Sequence, residues 1–361
     1  MPTNDETKTG LQFVRDFYRG SSAYADHIAS KLLSVIHLET KLDTAIMDAA
    51  LSGKDIVLTG NPGDGKTHVI RLLKDKLEST GKPICIELDA STLSNDDIYL
   101  KWKAARERNI PFVIAINAAV LYSVYRKYPN FKPIKDAYYQ MSHAVVFHDE
   151  VTESSNLVVF DLSKREVLTA DILKKAIEKL TDTKHYTECA ACPLNESCDV
   201  HKNCSLLNST LFQERLFVIL QRVSMQGYHA TVRELQSLIS YLIFGNRSCK
   251  AISRTTGSNQ YNLVNLVFSG KGALFDAIRN AIDPVAISHP TWDERILLND
   301  IPNDSWVDGY EVPAEAIAYD NYELFKLRKR QFYFFNKNGE ELLKIMDDDV
   351  TRFQEFLGQD N

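Results

Sequence analysis

The stretch "LTGNPGDGKTHVI", residues 58–70, places Gly60, Gly65, Lys66 and Thr67 at the spacing G-x-x-x-x-G-K-[ST]. Glycines let a backbone curl until successive N–H groups point inward, and a helix starting at the lysine adds the positive end of its dipole, so the loop reads as an anion cradle. The candidate contacts are Gly60, Asn61, Pro62, Gly63, Asp64, Gly65, Lys66, Thr67 and His68. Lys66 is placed to reach β and γ phosphates and the Thr67 hydroxyl to hold Mg²⁺, which makes ATP the expected ligand.

Hydrolysis also needs a carboxylate that orders the Mg²⁺ and a polar group that positions water or senses the γ-phosphate. Two carboxylates compete for the first role: Asp89, ending "ICIELD", and Asp149, followed by Glu150, ending "AVVFHDE". Asp89 is favoured because its strand is then expected beside the loop strand, with Asn117 ending the following parallel strand as the sensor. Glu87 lies two residues before Asp89 and faces the same way on a strand, which makes it a candidate general base. Arg165 in "DLSKRE" is a candidate charge-stabilising arginine, in cis or from a neighbouring subunit. Arg233 falls in the first turn of "TVRELQSLISYLI", with Thr231 at the N-cap; a surface arginine on an amphipathic helix is the competing reading.

These side chains need a frame. "KDIVLTG" is a short apolar run with β-branched residues and reads as a buried strand ending at Gly60. "THVIRLLKDKLEST" repeats Val69, Ile70, Leu72, Leu73 and Leu77 at helical spacing. Further strands are expected in "KPICIELDAS" (82–91), "IPFVIAINAA" (110–119), "HAVVFHDE" (143–150) and "NLVVFDLS" (156–163). The first two flank a helix-like segment, giving the βαβ rhythm of a parallel sheet. The last two are joined by only "VTESSN" or so, whereas a parallel crossover takes about a dozen residues, so the spacing predicts an antiparallel hairpin there.

Four of the six cysteines fall in "CAACPLNESCDVHKNC". Cys189 and Cys192 have C-x-x-C spacing, and with Cys198 and Cys204 they make a soft ligand set suited to tetrahedral Zn²⁺. Cys249 in "FGNRSC" is an alternative fourth ligand to Cys204, and His201 lies inside the run. An iron–sulfur cluster and a set of reduced free thiols are the rival readings. Cys85 sits in a predicted strand, where packing accounts for it.

The chain has 361 residues, 44% hydrophobic and 25% charged, within the range of globular proteins. There is no apolar run long enough to span a bilayer and no basic, apolar start, so a cytoplasmic protein without membrane contact is expected. A net charge of −6 argues against a protein-wide nucleic-acid footprint. The basic and aromatic run "KLRKRQFYFF", 326–335, reads either as a local nucleic-acid contact or as a solvated helix end before a buried strand.

Together these features predict an α/β fold: an N-terminal helical segment (1–50), a P-loop NTPase core with a parallel sheet (51–165), a helical lid carrying the cysteine insertion (166–250) and a mixed α/β C-terminal region (251–361).

"GNPGDGKTH", "LDASTLSNDD", "FVIAINAAVLY", "VVFDLSKR", the "CAAC" cluster and "TVRELQSLISYL" together resemble the AAA+-like P-loop ATPases of bacterial anti-phage defence, particularly the DptF-like ATPase of phosphorothioation-dependent restriction. The resemblance covers roughly residues 50–250 and implies an ATPase core with a helical lid, whose Arg233 contacts the γ-phosphate. It also implies ATP hydrolysis in a multi-component system acting on DNA, with other defence proteins and like subunits as partners. A slow nucleotide-dependent switch or scaffold that recruits an effector is the alternative. A small-molecule kinase would need an acceptor-phosphate site with further arginines near the loop, and no such constellation is visible.

Overall fold

The computed structural model describes residues 10–18, 37–61, 64–78, 81, 83–146, 156–307, 310, 317–318 and 321–344. Two compact units divide the chain. The first comprises residues 1–8, 20–166 and 231–233, the second residues 9–19, 167–230 and 234–361.

The first unit is an α/β layer structure. Its elements are α2 (Lys41–Leu51), β1 (Asp55–Thr59), α3 (Lys66–Glu78), β2 (Cys85–Glu87), α4 (Asn95–Glu107), β3 (Phe112–Ala115), α5 (Ala118–Lys127), α6 (Lys132–Val146) and β4 (Leu157–Asp161); α1 (Gly10–Asp16) precedes them and belongs to the second unit. The four strands run parallel in the order β2-β3-β1-β4. Successive side chains of a strand face opposite ways, and β1 illustrates the consequence. Ile56 and Leu58 pack with Ile46, Val69, Ile70 and Leu73 from α2 and α3. Val57 packs on the other face with Ile98, Trp102, Leu121 and Ile134 from α4, α5 and α6. Helices on both faces account for the near-continuous apolar strands.

Among the described residues the expected hairpin is not formed. β4 pairs parallel with β1 in the register Asp55 to Leu157 and Thr59 to Asp161. Residues 143–146 of the expected strand "HAVVFHDE" are the last turn of α6, and 147–150 lie outside the described residues. Ile134 and Ala137, with Met141 partly buried, recur along one face of α6 against the sheet. That 3.6-residue period makes the segment a crossover helix, and the crossover supplies the length that a parallel connection requires. A second difference concerns neighbours: β3, not β2, lies beside β1, so Asp89 stands two strands from the loop strand.

The second unit, in its described residues, is helical: α1, then α7 (Ala170–Leu180), α8 (Asp199–Leu207), α9 (Thr210–Met225), α10 (Val232–Phe244, its first two residues grouping with the first unit), α11 (Cys249–Thr255), α12 (Leu263–Ser269), α13 (Ala273–Ala281), α14 (Pro290–Leu298) and α15 (Tyr322–Phe335). The expected mixed C-terminal region shows only an isolated bridge between Trp306 and Asn336 among the described residues. "KLRKRQFYFF" is one helix throughout. Phe332, Tyr333, Phe334 and Phe335 are buried, as is Lys329, which pairs with Asp293. That run is therefore core and not a stacking surface for bases.

Asp55, at the amino end of β1, is buried, and burial pushes its carboxyl above the usual range against the pull of its hydrogen bonds. Trp102 Nε1 donates to it at 2.7 Å, the Phe112 backbone N–H at 3.0 Å, and Arg106 lies 2.8 Å away. We expect Asp55→Ala to cost about 3 kcal/mol, because two buried donors and a guanidinium lose their acceptor. Urea unfolding followed by circular dichroism and tryptophan fluorescence checks this; a loss below about 1 kcal/mol would show the carboxylate to be dispensable.

Candidate functional site

Parallel strands bring their carboxyl ends to one edge of a sheet, and ligands of open α/β sheets bind outside that edge where successive connections diverge. β1 occupies that place here, since the chain leaves β3 on one side of it and enters β4 on the other. The turns after all four strands meet at this edge.

After Thr59 the chain enters the glycine loop. Gly60 has φ +143°, and a Cβ there would lie 2.8 Å from Asp64 Oδ2 and 3.2 Å from Ser163 N, so only glycine fits. The buried Asp64 carboxylate accepts from Asn61 N at 2.6 Å, and Asp64 N donates to Asn61 O at 3.2 Å. Gly65, with φ +91°, ends the loop, and α3 begins at Lys66. Pro62 and Gly63 lie outside the described residues.

Lys66 folds back over the loop and donates to the carbonyl oxygens of Gly60 at 2.8 Å and Asn61 at 2.9 Å. Burial pushes its ammonium below the ordinary value, while Asp64, Asp89 and Asp161 act to raise it. Three carboxylates from three different turns thus lie within electrostatic reach of one lysine. Asp89 caps the turn after β2, accepting from Ser91 N at 2.9 Å. Asp161 ends β4 opposite Thr59 and accepts from Ser163 Oγ at 2.7 Å. Asn117 follows β3, the strand beside β1, and caps α5 by accepting from Val120 N at 2.8 Å.

Thr67 is half-buried in the first turn of α3. His68 Nε2 lies 3.1 Å from His37 Nδ1, and His37 Nε2 lies 3.5 Å from Asp43 of α2. Arg165 follows the turn after β4, where burial lowers its guanidinium against the opposing charges of Asp43 and Asp64. Glu87 forms an ion pair with Lys101 of α4. Arg233 is half-buried at the second position of α10, and its stretch groups with the first unit. Asp149 and Glu150 lie outside the described residues.

Asp161 and the His37–Asp43 pair were not anticipated. Asp161 carried a readable signal, since "NLVVFD" ends an apolar run in a carboxylate as "ICIELD" does; the hairpin expectation concealed it.

The second unit holds the cysteines. Cys192 N donates to Cys189 O at 3.0 Å, closing a tight turn. Cys198 caps α8, Cys204 lies within α8, and Cys249 is the first residue of α11. Among the described residues, no three His, Cys, Asp or Glu side chains converge as metal ligands. No helix among them is long and apolar enough to cross a membrane. In comparisons with known proteins, no family model matches the sequence, and no curated protein or solved structure matches it significantly.

Proposed function

We propose that the chain is an AAA+-like P-loop ATPase that binds and hydrolyses ATP with Mg²⁺. The observation carrying this reading is the meeting of Lys66 with Asp89 and Asp161 at the carboxyl edge of a parallel sheet, beside a glycine loop that opens a helix. Lys66 now spends its donors on two neutral carbonyls, whereas a phosphate oxygen would offer a charge-assisted bond of roughly twice the strength. The loop's N–H groups and the amino end of α3 add fixed positive potential at the same place. Mg²⁺, when bound, neutralises charge on the transferring phosphoryl group. Thr67 would hold that ion directly, with Asp89 ordering its outer ligands and Asn117 at the next strand end orienting water. Arg165 reaches the loop in cis through Asp64, which suits it to balance phosphate charge. Glu87, the candidate base, is engaged by Lys101 in an ion pair.

Lys66→Ala should abolish measurable ATP binding and turnover in a chain that still folds, because the substitution removes a loop cation and no core contact. Equilibrium binding of a fluorescent ATP analogue and phosphate release check it; retained turnover in folded protein overturns the reading. Asp89→Asn should lower kcat/KM at least about a hundredfold, roughly 2.7 kcal/mol of transition-state stabilisation, and Asp161→Asn distinctly less. The reverse order would transfer the magnesium role to Asp161.

A role on DNA, within a defence system of several proteins and like subunits, is the further part of this proposal. Its support lies on α5 and α6. Tyr125 stacks on Tyr138 at 4.4 Å, with Tyr122 5.6 Å from Tyr138. Tyr122 and Tyr139 are 46% and 42% exposed, with Arg126 over one ring and Lys135 over the other. Aromatic faces interleaved with cations are what a flexible single strand can stack on and neutralise. A Tyr122→Ala, Arg126→Ala double variant should bind a single-stranded oligonucleotide at least about fivefold more weakly, with a shallower salt dependence. Equal binding by variant and wild type in a filter or anisotropy assay would remove this face from consideration. Turnover that responds to DNA favours a DNA-driven machine; slow turnover indifferent to DNA favours the switch or scaffold.

A further inference from the structure

Two histidines from different elements meet beside the glycine loop. His68 stands in the first turn of α3, directly after Thr67, and its Nε2 lies 3.1 Å from Nδ1 of His37, which precedes α2. The other ring nitrogen of His37, Nε2, lies 3.5 Å from Asp43 Oδ1, and the two side chains are only 14% and 18% exposed. Asp43 is itself fixed. It is the third residue of α2, and its Oδ2 accepts from Thr40 N at 2.7 Å and from Thr40 Oγ1 at 2.8 Å, the backward half of a capping box. One carboxylate oxygen thus caps the helix while the other faces His37.

These contacts assign the tautomers. A carboxylate beside Nε2 of His37 places the ring proton there, so Nδ1 of the neutral ring is the acceptor and His68 Nε2–H the donor. Asp43, His37 and His68 form a chain in which each group orients the next. Asp43 acts in a second direction as well: burial lowers the Arg165 guanidinium, and Asp43 and Asp64 work against that. It therefore serves both the histidine that follows Thr67 and the arginine that follows the turn after β4. Val69, Ile70 and Leu73 hold α3 on the sheet, but apolar contact is non-directional and tolerates a small rotation about the helix axis. A hydrogen bond at residue 68 does not, because it weakens steeply with angle. Lys66 has anchors of its own in the carbonyls of Gly60 and Asn61, whereas Thr67 takes its aim from the turn that His68 secures.

We propose that Asp43 and His37 are positioning residues of the nucleotide site, acting through His68 to fix the first turn of α3 so that the Thr67 hydroxyl is aimed at the Mg²⁺ accompanying a triphosphate. The inference rests on the ATP reading above. A group that orients the neighbour of a metal-holding residue belongs to the shell whose loss is felt through the metal. Its contribution therefore falls on the metal-accompanied ligand. The bare phosphate chain, held by Lys66 and the loop N–H groups, gains little from it.

The test measures equilibrium binding of a fluorescent ATP analogue to the full chain, once with excess Mg²⁺ and once with a chelator in its place. His37→Phe should weaken binding at least about tenfold with Mg²⁺ and less than about twofold without it. His68→Leu should do the same, and the double variant should lose no more than either single one, since both cut one chain. His37→Asn can set its amide oxygen where Nδ1 stood and should stay within about threefold of wild type. That variant also carries the test if the phenylalanine does not fold: a tenfold loss in His37→Asn overturns the proposal. Unchanged binding, equal losses with and without Mg²⁺, or additive losses in the double variant overturn it too, while leaving the ATP reading intact. A wild-type chain that binds no ATP defeats both. Independently of any nucleotide, proton–nitrogen NMR of histidine-labelled wild-type chain at mildly alkaline pH should show His37 and His68 as Nε2–H tautomers, and an Nδ1–H proton on His37 would break the chain at its centre.

Discussion

Everything at the carboxyl edge depends on β1 being buried along its whole length with a partner on each side. Buried backbone groups must be paired, and a strand covered on both faces by helices can pair only with neighbouring strands. β3 and β4 supply those partners, and the pairing runs on at both ends, with Asp55 N bonded to Asn156 O and Ile116 N to Leu58 O. At the amino end Asp55 adds a three-donor anchor to α4 and β3. The glycine loop leaves a strand that cannot slide or tilt, and the first turn of α3 inherits that fixity. A site that must present N–H groups within tenths of an ångström gains from such a mount.

The charges around the loop form a balanced set. Lys66 and Arg165 supply the cations, and Asp43, Asp64, Asp89 and Asp161 answer them from α2, the loop itself, the turn after β2 and the end of β4. Burial disfavours both cations, which is the cost of holding positive charge where solvent is scarce. Their local counterions repay part of it. The same arrangement keeps each cation oriented, because each has carboxylates on more than one element.

Much of this was legible in the sequence. Residue types alone specified the strand, loop and helix around Lys66, since the glycine spacing and the change from strand-like to helical periodicity coincide at residues 60–66. Asp89 and Asn117 both follow strand ends, as an apolar run closing on a polar residue suggests, but the strand of Asp89 lies two places from β1 and not beside it. What failed was period over a short window. "HAVVF" taken alone is a continuous apolar run, which does not distinguish a buried strand from a buried helix turn. The longer frame from Ile134 to Met141 carries helical spacing and decides the matter. The same ambiguity hid α15, where four consecutive aromatic residues suggested a strand, yet a helix packed against α9, α12 and α14 buries every side of that turn. The partner of Asp199 was not readable at all: an arginine 48 positions away is found only when the chain has folded.

Asp64 poses the sharpest question about the loop, because an acidic side chain inside an anion cradle looks self-defeating. Its geometry resolves the conflict. The Asn61 N–H holds the carboxylate against the loop, the missing Cβ of Gly60 leaves it room, and it lies within electrostatic reach of Lys66. There it ties the loop back on Asn61, and its charge acts to raise the Lys66 ammonium against the effect of burial. On the reading proposed above, an arriving triphosphate meets a cation whose desolvation has already been met by folding, which is the condition under which an electrostatic contact contributes most. Asp64 also lowers the net positive charge of the cradle, so binding a multiply charged anion there without Mg²⁺ would set like charges close together. On that reading, Asp64 would make the loop favour a phosphate chain accompanied by its metal over a bare one, through a single carboxylate three residues before the helix's first threonine.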